Sequence, residues 1–241
     1  MNFRMENSTI KGIIFDYGGT IDSRGDHWSE VIWRAYCQEN VNVDKQIFRD
    51  AYVHAERELA KVRHILPDDN FLVLLQKKMR IEMQWLADNG HISQTEANKK
   101  APLVARCCYE AARECVDEAR PVLEKLHADY PMVLVSNFYG NVEAVLTDFR
   151  LRQLFKAVIE SAVVGVRKPD PQIFRLGVEA LGLLPGQVLV VGDSMKKDIL
   201  PAESIGCHVA WIKGKGWTAD EDAMQHPAQI ANLGDLSRLL N

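Results

Sequence analysis

The chain has 241 residues, 47% of them apolar, with 29 Lys plus Arg against 33 Asp plus Glu. That length is long for one domain and short for two large ones, and the apolar share is enough for a sizeable core. The mild acidic balance argues against nucleic acid or an anionic membrane surface as a partner.

In chain order, Met1 to Thr9 has no apolar stretch of the kind a signal peptide needs, and no run nears the 18 or so apolar residues of a membrane span. The expectation is a soluble, cytoplasmic protein. Lys11 to Phe15 is a short apolar run that ends in Asp16 and two glycines, the pattern of a buried parallel strand entering a tight turn. From about 27 to 118 the texture is helical. Trp28, Val31, Ile32, Ala35 and Tyr36 recur at helical spacing, as do Ile47, Ala51, Ala55 and Leu59 behind a capping Asp44. Asp68-Asp69-Asn70 opens a third helix that Asn89-Gly90 stops. Ser93-Gln-Thr-Glu96 has capping-box spacing and starts a fourth, reaching Cys115. The five cysteines are odd in number, form no CxxC pair and include adjacent Cys107 and Cys108, which suits reduced thiols.

After Pro121 strands and helices alternate. Helices are expected at Val122–Tyr130, Asn141–Phe149, Asp170–Leu181 and Lys197–Ile205. Between them lie strands at 131–136, 157–160, 187–191 and 208–212, with a weak one near 229–231. Such alternation means a parallel sheet with helices on both faces. The first strand belongs to the same sheet, since the helical segment offers it no strand to pair with. The expectation is an α/β fold: a Rossmann-like core from residues 1–22 and 119–241, carrying an inserted all-α cap at 23–118.

Four strand-end segments carry chemistry. Asp16 follows the first strand, Ser136-Asn137 the second, and Gly192-Asp193-Ser194, with Asp198 beyond, the fourth; Lys168-Pro-Asp-Pro precedes a helix after the third. Carboxyl ends of parallel strands converge on one crevice. Asp16 can attack phosphorus and carry an acyl phosphate. Ser136 and turn amides can hold phosphoryl oxygens, and Lys168 supplies a compact positive charge. Asp16 and Asp193 are oxygen ligands suited to Mg²⁺, while Asp198 completes the metal's surroundings or steadies Lys168. Taken singly, Lys168 reads as a solvated lysine and the Gly-Asp-Ser turn as a helix cap. Together and in this order they read as a site.

The chain resembles a haloacid dehalogenase superfamily hydrolase, with Asp16-Tyr-Gly-Gly-Thr20, Ser136-Asn137, Lys168-Pro-Asp-Pro and Gly192-Asp-Ser-x-x-x-Asp198 as the signature segments. The resemblance implies Mg²⁺-dependent phosphatase or phosphomutase chemistry through an aspartyl phosphate, on a small phosphorylated metabolite. It also implies catalytic roles for Asp16 and Lys168, and substrate contacts from Thr20, Ser136, Asn137 and Lys168. Metal contacts are implied at Asp16, the Gly18 carbonyl, Asp193 and Asp198. One departure matters: the family's phosphatases place a general acid two residues after the nucleophile, and here that residue is Gly18. General acid-base help is typically worth about 10²–10⁴ in rate. Asp22, the nearest spare carboxylate, is expected to cap the turn.

Two alternatives follow from Gly18. One is a phosphonatase-like enzyme using a cap lysine, Lys45 or Lys61; the other is a member that binds a phosphorylated ligand without turnover. His27, His54 and His64 read as surface or interhelical residues, and Trp28, Trp33 and Trp85 as cap core, one of which could line the crevice mouth; Lys213 to Trp217 reads as a solvated loop that could touch a phosphate. Tyr139 and Asn141 are placed where they could face substrate. Oligomeric state is not legible.

Overall fold

A computed structural model describes residues 10–240. The stretch on which the leader reading rested lies outside them. Six strands, β1 (Gly12–Phe15), β2 (Met132–Ser136), β3 (Ala157–Glu160), β4 (Val188–Gly192), β5 (His208–Ile212) and β6 (Gln229–Ile230), form one parallel sheet in the order β3-β2-β1-β4-β5-β6. β1 sits centrally, with Phe15 in register with Leu134 of β2 and Val191 of β4. Because side chains alternate across a strand, Ile13, Phe15, Leu134, Leu189 and Val191 enter one core, and Ile14, Val133, Val135, Val188 and Val190 the other. All ten are fully buried, which is why these strands read as unbroken apolar runs.

The insertion forms α1 (Trp28–Gln38), α2 (Lys45–Lys61), α3 (Phe71–Asp88) and the start of α4 (Gln94–Asp129). Each has a side-chain cap: His27, Asp44, Asn70 and Ser93 accept from backbone N–H groups of the first turn. The expected fourth and fifth helices are one, and α4 runs straight through Pro102 and Pro121. A proline inside a helix forfeits one hydrogen bond. The apolar stripe nevertheless spans Pro121, with Val116 and Ala119 before it and Leu123 and Leu126 after it, all buried, and that packing offsets the loss.

The remaining helices are α5 (Val142–Asp148), α6 (Ser161–Val164), α7 (Gln172–Leu181), α8 (Leu200–Ser204), α9 (Ala219–Ala223) and α10 (Leu236–Leu240). The helix expected over 197–205 is a π-helical turn, Met195–Ile199, leading into α8, where Pro201 has no N–H to continue the α-helical ladder. No helix of the described residues is long and apolar enough to cross a membrane.

Candidate active site

Asp16 leaves β1 with its backbone N–H still bonded to the Val191 carbonyl at 2.9 Å, which fixes the start of its side chain at the carboxyl edge of the sheet. Lys168 reaches it from the loop between α6 and α7. Its Nζ lies 2.7 Å from Asp16 Oδ1 and 2.6 Å from Asp198 Oδ1, all three side chains being buried. Burial opposes the ammonium charge, but the two carboxylates outweigh it and hold Lys168 above its ordinary value. Burial pushes Asp193 upward, and repulsion from Asp198 and Asp16 adds to it. Asp198 is also raised by burial, against the pull of Lys168.

Carboxylate oxygens of Asp16, Asp193 and Asp198 lie within 4.8 Å of one another. One ammonium among three crowded carboxylates leaves negative charge for a cation to neutralise, and an all-oxygen donor set suits a hard divalent ion such as Mg²⁺. The residues therefore fit that ion. Asp198 is engaged on both oxygens, by Lys168 and by the Ser194 N–H at 2.9 Å. Asp16 and Asp193 each keep one oxygen without a protein donor among the described residues. Gly19 permits this crowding: its φ is +97°, and a Cβ there would come within 2.4 Å of the Asp193 carboxyl.

A cavity of about 520 Å³ opens over these groups, lined by Asp16, Gly18, Ser136, Asn137, Lys168, Asp193 and Asp198. Thr20 does not line it. Its buried hydroxyl donates to Asp193 Oδ1 at 3.1 Å and orients that carboxyl. The Asn137 amide accepts from the Lys168 N–H at 2.9 Å and donates to the Lys168 carbonyl at 3.0 Å, bracing the loop that carries the lysine. At Gly18 a side chain would meet only the Trp28 ring, 3.8 Å away. Asp22 lies buried beneath the turn and caps it, accepting from the Gly19 N–H at 2.8 Å and from Trp28 Nε1 at 3.1 Å. Burial, helped by the Asp16 charge, lifts Asp22 to about 8. With one oxygen held by the turn and the other by Trp28, and outside the cavity lining, it is not placed to stand in for an acid at position 18.

The helical side of the cavity holds residues that sequence reading passed over. Lys78 of α3 is buried, paired with Glu56 of α2, and lies 4.4 Å over the Tyr52 ring. Tyr139 donates to the same Glu56 at 3.0 Å. Burial works against the Lys78 charge, yet Glu56 and its neighbours keep it raised. A signal existed, because Leu74, Lys78, Glu82 and Leu86 share i, i+4 spacing and so lie on the buried stripe of α3. Lys45 and Lys61 lie outside the cavity lining; Lys45 pairs with Glu30 and Lys61 is exposed. Asn141 also points elsewhere, donating to the Asp69 carbonyl at 2.8 Å. His27 lines the cavity, and burial depresses it to about 4. So do Trp28 and the 213–217 loop, which is clamped by His27 N–H to the Lys215 carbonyl at 2.8 Å and by Arg49 to the Trp217 carbonyl.

A family model described as haloacid dehalogenase-like hydrolase matches residues 10–206. Among curated proteins, a phosphoserine phosphatase of Thermus thermophilus is 38% identical over 58 residues, covering 24% of this chain and 23% of that one. The 5-amino-6-(5-phospho-D-ribitylamino)uracil phosphatase YigB of Escherichia coli is 24% identical over 204 residues, covering 83% and 79%. Matches at 36–38% identity are local, spanning 23–40% of the length of those relatives. Among solved structures, a dehalogenase with an intermediate complex superposes with a TM-score of 0.61 at 19% identity, covering 96% of this chain and 97% of that one, a likeness of fold.

Proposed function

The chain belongs to the haloacid dehalogenase-like hydrolases, and from that premise we propose that it is a Mg²⁺-dependent phosphatase of small phosphorylated metabolites, working through an aspartyl phosphate on Asp16. The observation that carries this reading is the Asp16 carboxylate, fixed on one oxygen by Lys168 and free on the other above the cavity. The free oxygen attacks phosphorus, and the bond to the leaving oxygen breaks with its electron pair. Water then attacks phosphorus, releasing phosphate and restoring Asp16. Ser136 and the turn amides hold the non-bridging oxygens, and the Lys168 ammonium, held protonated, offsets their charge. A bound Mg²⁺ would neutralise charge on the transferring group, held by Asp16, the Gly18 carbonyl and Asp193, with Asp198 positioning Lys168. The helical insertion, residues 23–118, serves as a cap that covers the substrate. The phosphatase relatives support the substrate class.

Glycine rather than a carboxylic acid stands two residues after the nucleophile, so the reaction favours leaving groups that depart without a proton. A phosphonatase-like reading needs a neutral cap amine to form a Schiff base, and Lys78, the cap lysine in the cavity, is held protonated by Glu56. A screen of phosphate esters, acyl phosphates and phosphonates, with and without Mg²⁺, tests the proposal. Mg²⁺-dependent release of phosphate from acyl phosphates, absent in Asp16→Asn, is the expected result. Undiminished turnover in excess chelator would overturn it in favour of a metal-free, dehalogenase-like reaction, and absence of all turnover in favour of a binding-only member.

A further inference from the structure

Beyond the charged cluster the cavity wall carries many rings, among them His27, Trp28, Tyr52, Phe71, Tyr139 and Trp217. They are held in place rather than loosely exposed. Tyr52 and Trp217 lie 5.5 Å apart with a 33° tilt, and His27 is 5.3 Å from Trp217. Arg49 stacks 4.4 Å over the Trp217 ring. Trp28 is fixed by its Nε1–H on Asp22 and by an edge contact with Phe71 at 5.4 Å. On the α2–α3 side Lys78 and Tyr139 meet the same Glu56 carboxylate, so that side offers aromatic surface more than a second anion site; apart from Lys168, the other lysines of the lining, Lys196, Lys197, Lys213 and Lys215, lie on the segments after β4 and β5.

Two independent features of the site therefore meet. Position 18, two residues after Asp16, carries no acid to protonate a leaving oxygen, and the Trp28 ring lies 3.8 Å from where a side chain there would begin. We propose that the substrates are aryl phosphates, phosphomonoesters whose bridging oxygen is attached directly to a flat aromatic ring that packs against Trp28 and the neighbouring rings. The proposal rests on the phosphatase reading above and narrows it. A phenol ionises near pKa ~10, as tyrosine does, far more readily than an aliphatic alcohol, so phenolate leaves without a general acid. Asp16 displaces the aryloxide, whose oxygen keeps the electron pair of the broken P–O bond. Water then attacks the aspartyl phosphate, and the proton it gives up ends on the phenolate in solvent, so that aryl phosphate and water yield phenol and phosphate.

The test separates ring recognition from leaving-group chemistry. Phenylphosphonate and methylphosphonate, which lack a cleavable P–O–C bond, are compared as inhibitors, and phenyl phosphate and benzyl phosphate as substrates, with acetyl phosphate as a ring-free reference. Phenylphosphonate is expected to inhibit about tenfold more tightly than methylphosphonate, the scale of one good aromatic contact plus ring burial. Phenyl phosphate is expected to exceed benzyl phosphate in kcat/KM by about 10²-fold or more, since only the benzyl alkoxide needs a proton. Trp28→Ala should erase the inhibitor preference, and Trp28→Phe, which keeps a ring and guards against a misfolded alanine variant, should retain most of it. Equal inhibition by the two phosphonates, or benzyl phosphate turned over as well as phenyl phosphate, overturns the proposal. Turnover of acetyl phosphate without any ring preference overturns it while leaving the phosphatase reading intact; no turnover of acetyl or phenyl phosphate overturns both.

Discussion

A side chain placed at position 18 meets nothing closer than Trp28 at 3.8 Å, and the backbone there is not left-handed. Gly18→Asp is therefore accommodated, and it should raise kcat/KM on glycerol phosphate by about 10–10³, less than full general-acid help because the turn was not shaped around that carboxyl. Steady-state kinetics on wild type and variant give the ratio; no gain would mean that the leaving group is already protonated by another residue. Gly19, one position on, is the opposite case, since its positive φ and the adjacent Asp193 carboxyl leave no room for a Cβ. Asp193→Asn removes one carboxylate with a free oxygen, so the Mg²⁺ concentration for half-maximal activity should rise about tenfold or more, as a Mg²⁺ titration would read. At this scale the convergence of Asp16, Lys168, Asp193 and Asp198 was legible from the order of the strand-end segments taken together, and Asp22 as a turn cap. Thr20 and Asn137 were expected to contact substrate, whereas the Thr20 hydroxyl meets Asp193 and the Asn137 amide the Lys168 backbone. Both partners are distant in sequence.

The four central strands were plain in the sequence because both of their faces are buried, and the helix caps because they are local. α4 was not, since Pro121 reads locally as a stop while the packing that overrides it comes from other elements. The α2–α3 pair shows the same limit. Lys78 and Glu56 are 22 residues apart and meet only when the helices pack. Glu56→Gln leaves the Lys78 ammonium, 5% exposed, without its counter-charge. It should cost about 2–3 kcal/mol, below the ~3–5 of a fully buried pair because the Glu56 side chain opens partly to the cavity. Urea unfolding measures this. Adding Lys78→Met to Glu56→Gln should recover most of the loss, whereas a loss that persists would mean the two side chains act independently. The 213–217 loop was read as solvated, and the partners that clamp it to the helical side, His27, Arg49 and Asp26, lie more than about 160 residues earlier.

Across the whole molecule, buried carboxyls set the direction in which stability responds to pH. Glu82 is buried in the cap, with Tyr36 donating to one oxygen at 2.9 Å and the other oxygen unpartnered. Burial lifts it from its ordinary 4.5 to about 7, against the pull of Lys78 and Tyr36. The unfolded chain releases this proton near 4.5 while the folded chain keeps it to about 7. The unfolded state therefore binds fewer protons in that window, and stability falls as pH rises through it, by on the order of 3 kcal/mol from this group. Asp22, raised to about 8, acts in the same direction. Thermal midpoints between pH 4.5 and 7 should decline in wild type and decline less in Glu82→Gln, which retains an acceptor for Tyr36. Identical slopes would show that Glu82 is ionised in the fold.

The covalent step on a nucleophile without its acid partner is tested most directly by quenching the enzyme in acid during turnover of acetyl phosphate with Mg²⁺ and mapping phosphoryl groups by peptide mass spectrometry. The missing carboxylate at position 18 would also have activated the attacking water, so the phosphoenzyme should accumulate. The expected result is a phosphoryl group on Asp16, removed by hydroxylamine and less abundant in Gly18→Asp. Steady turnover with Asp16 unmodified at every quench time, or undiminished turnover in Asp16→Asn, would contradict the account.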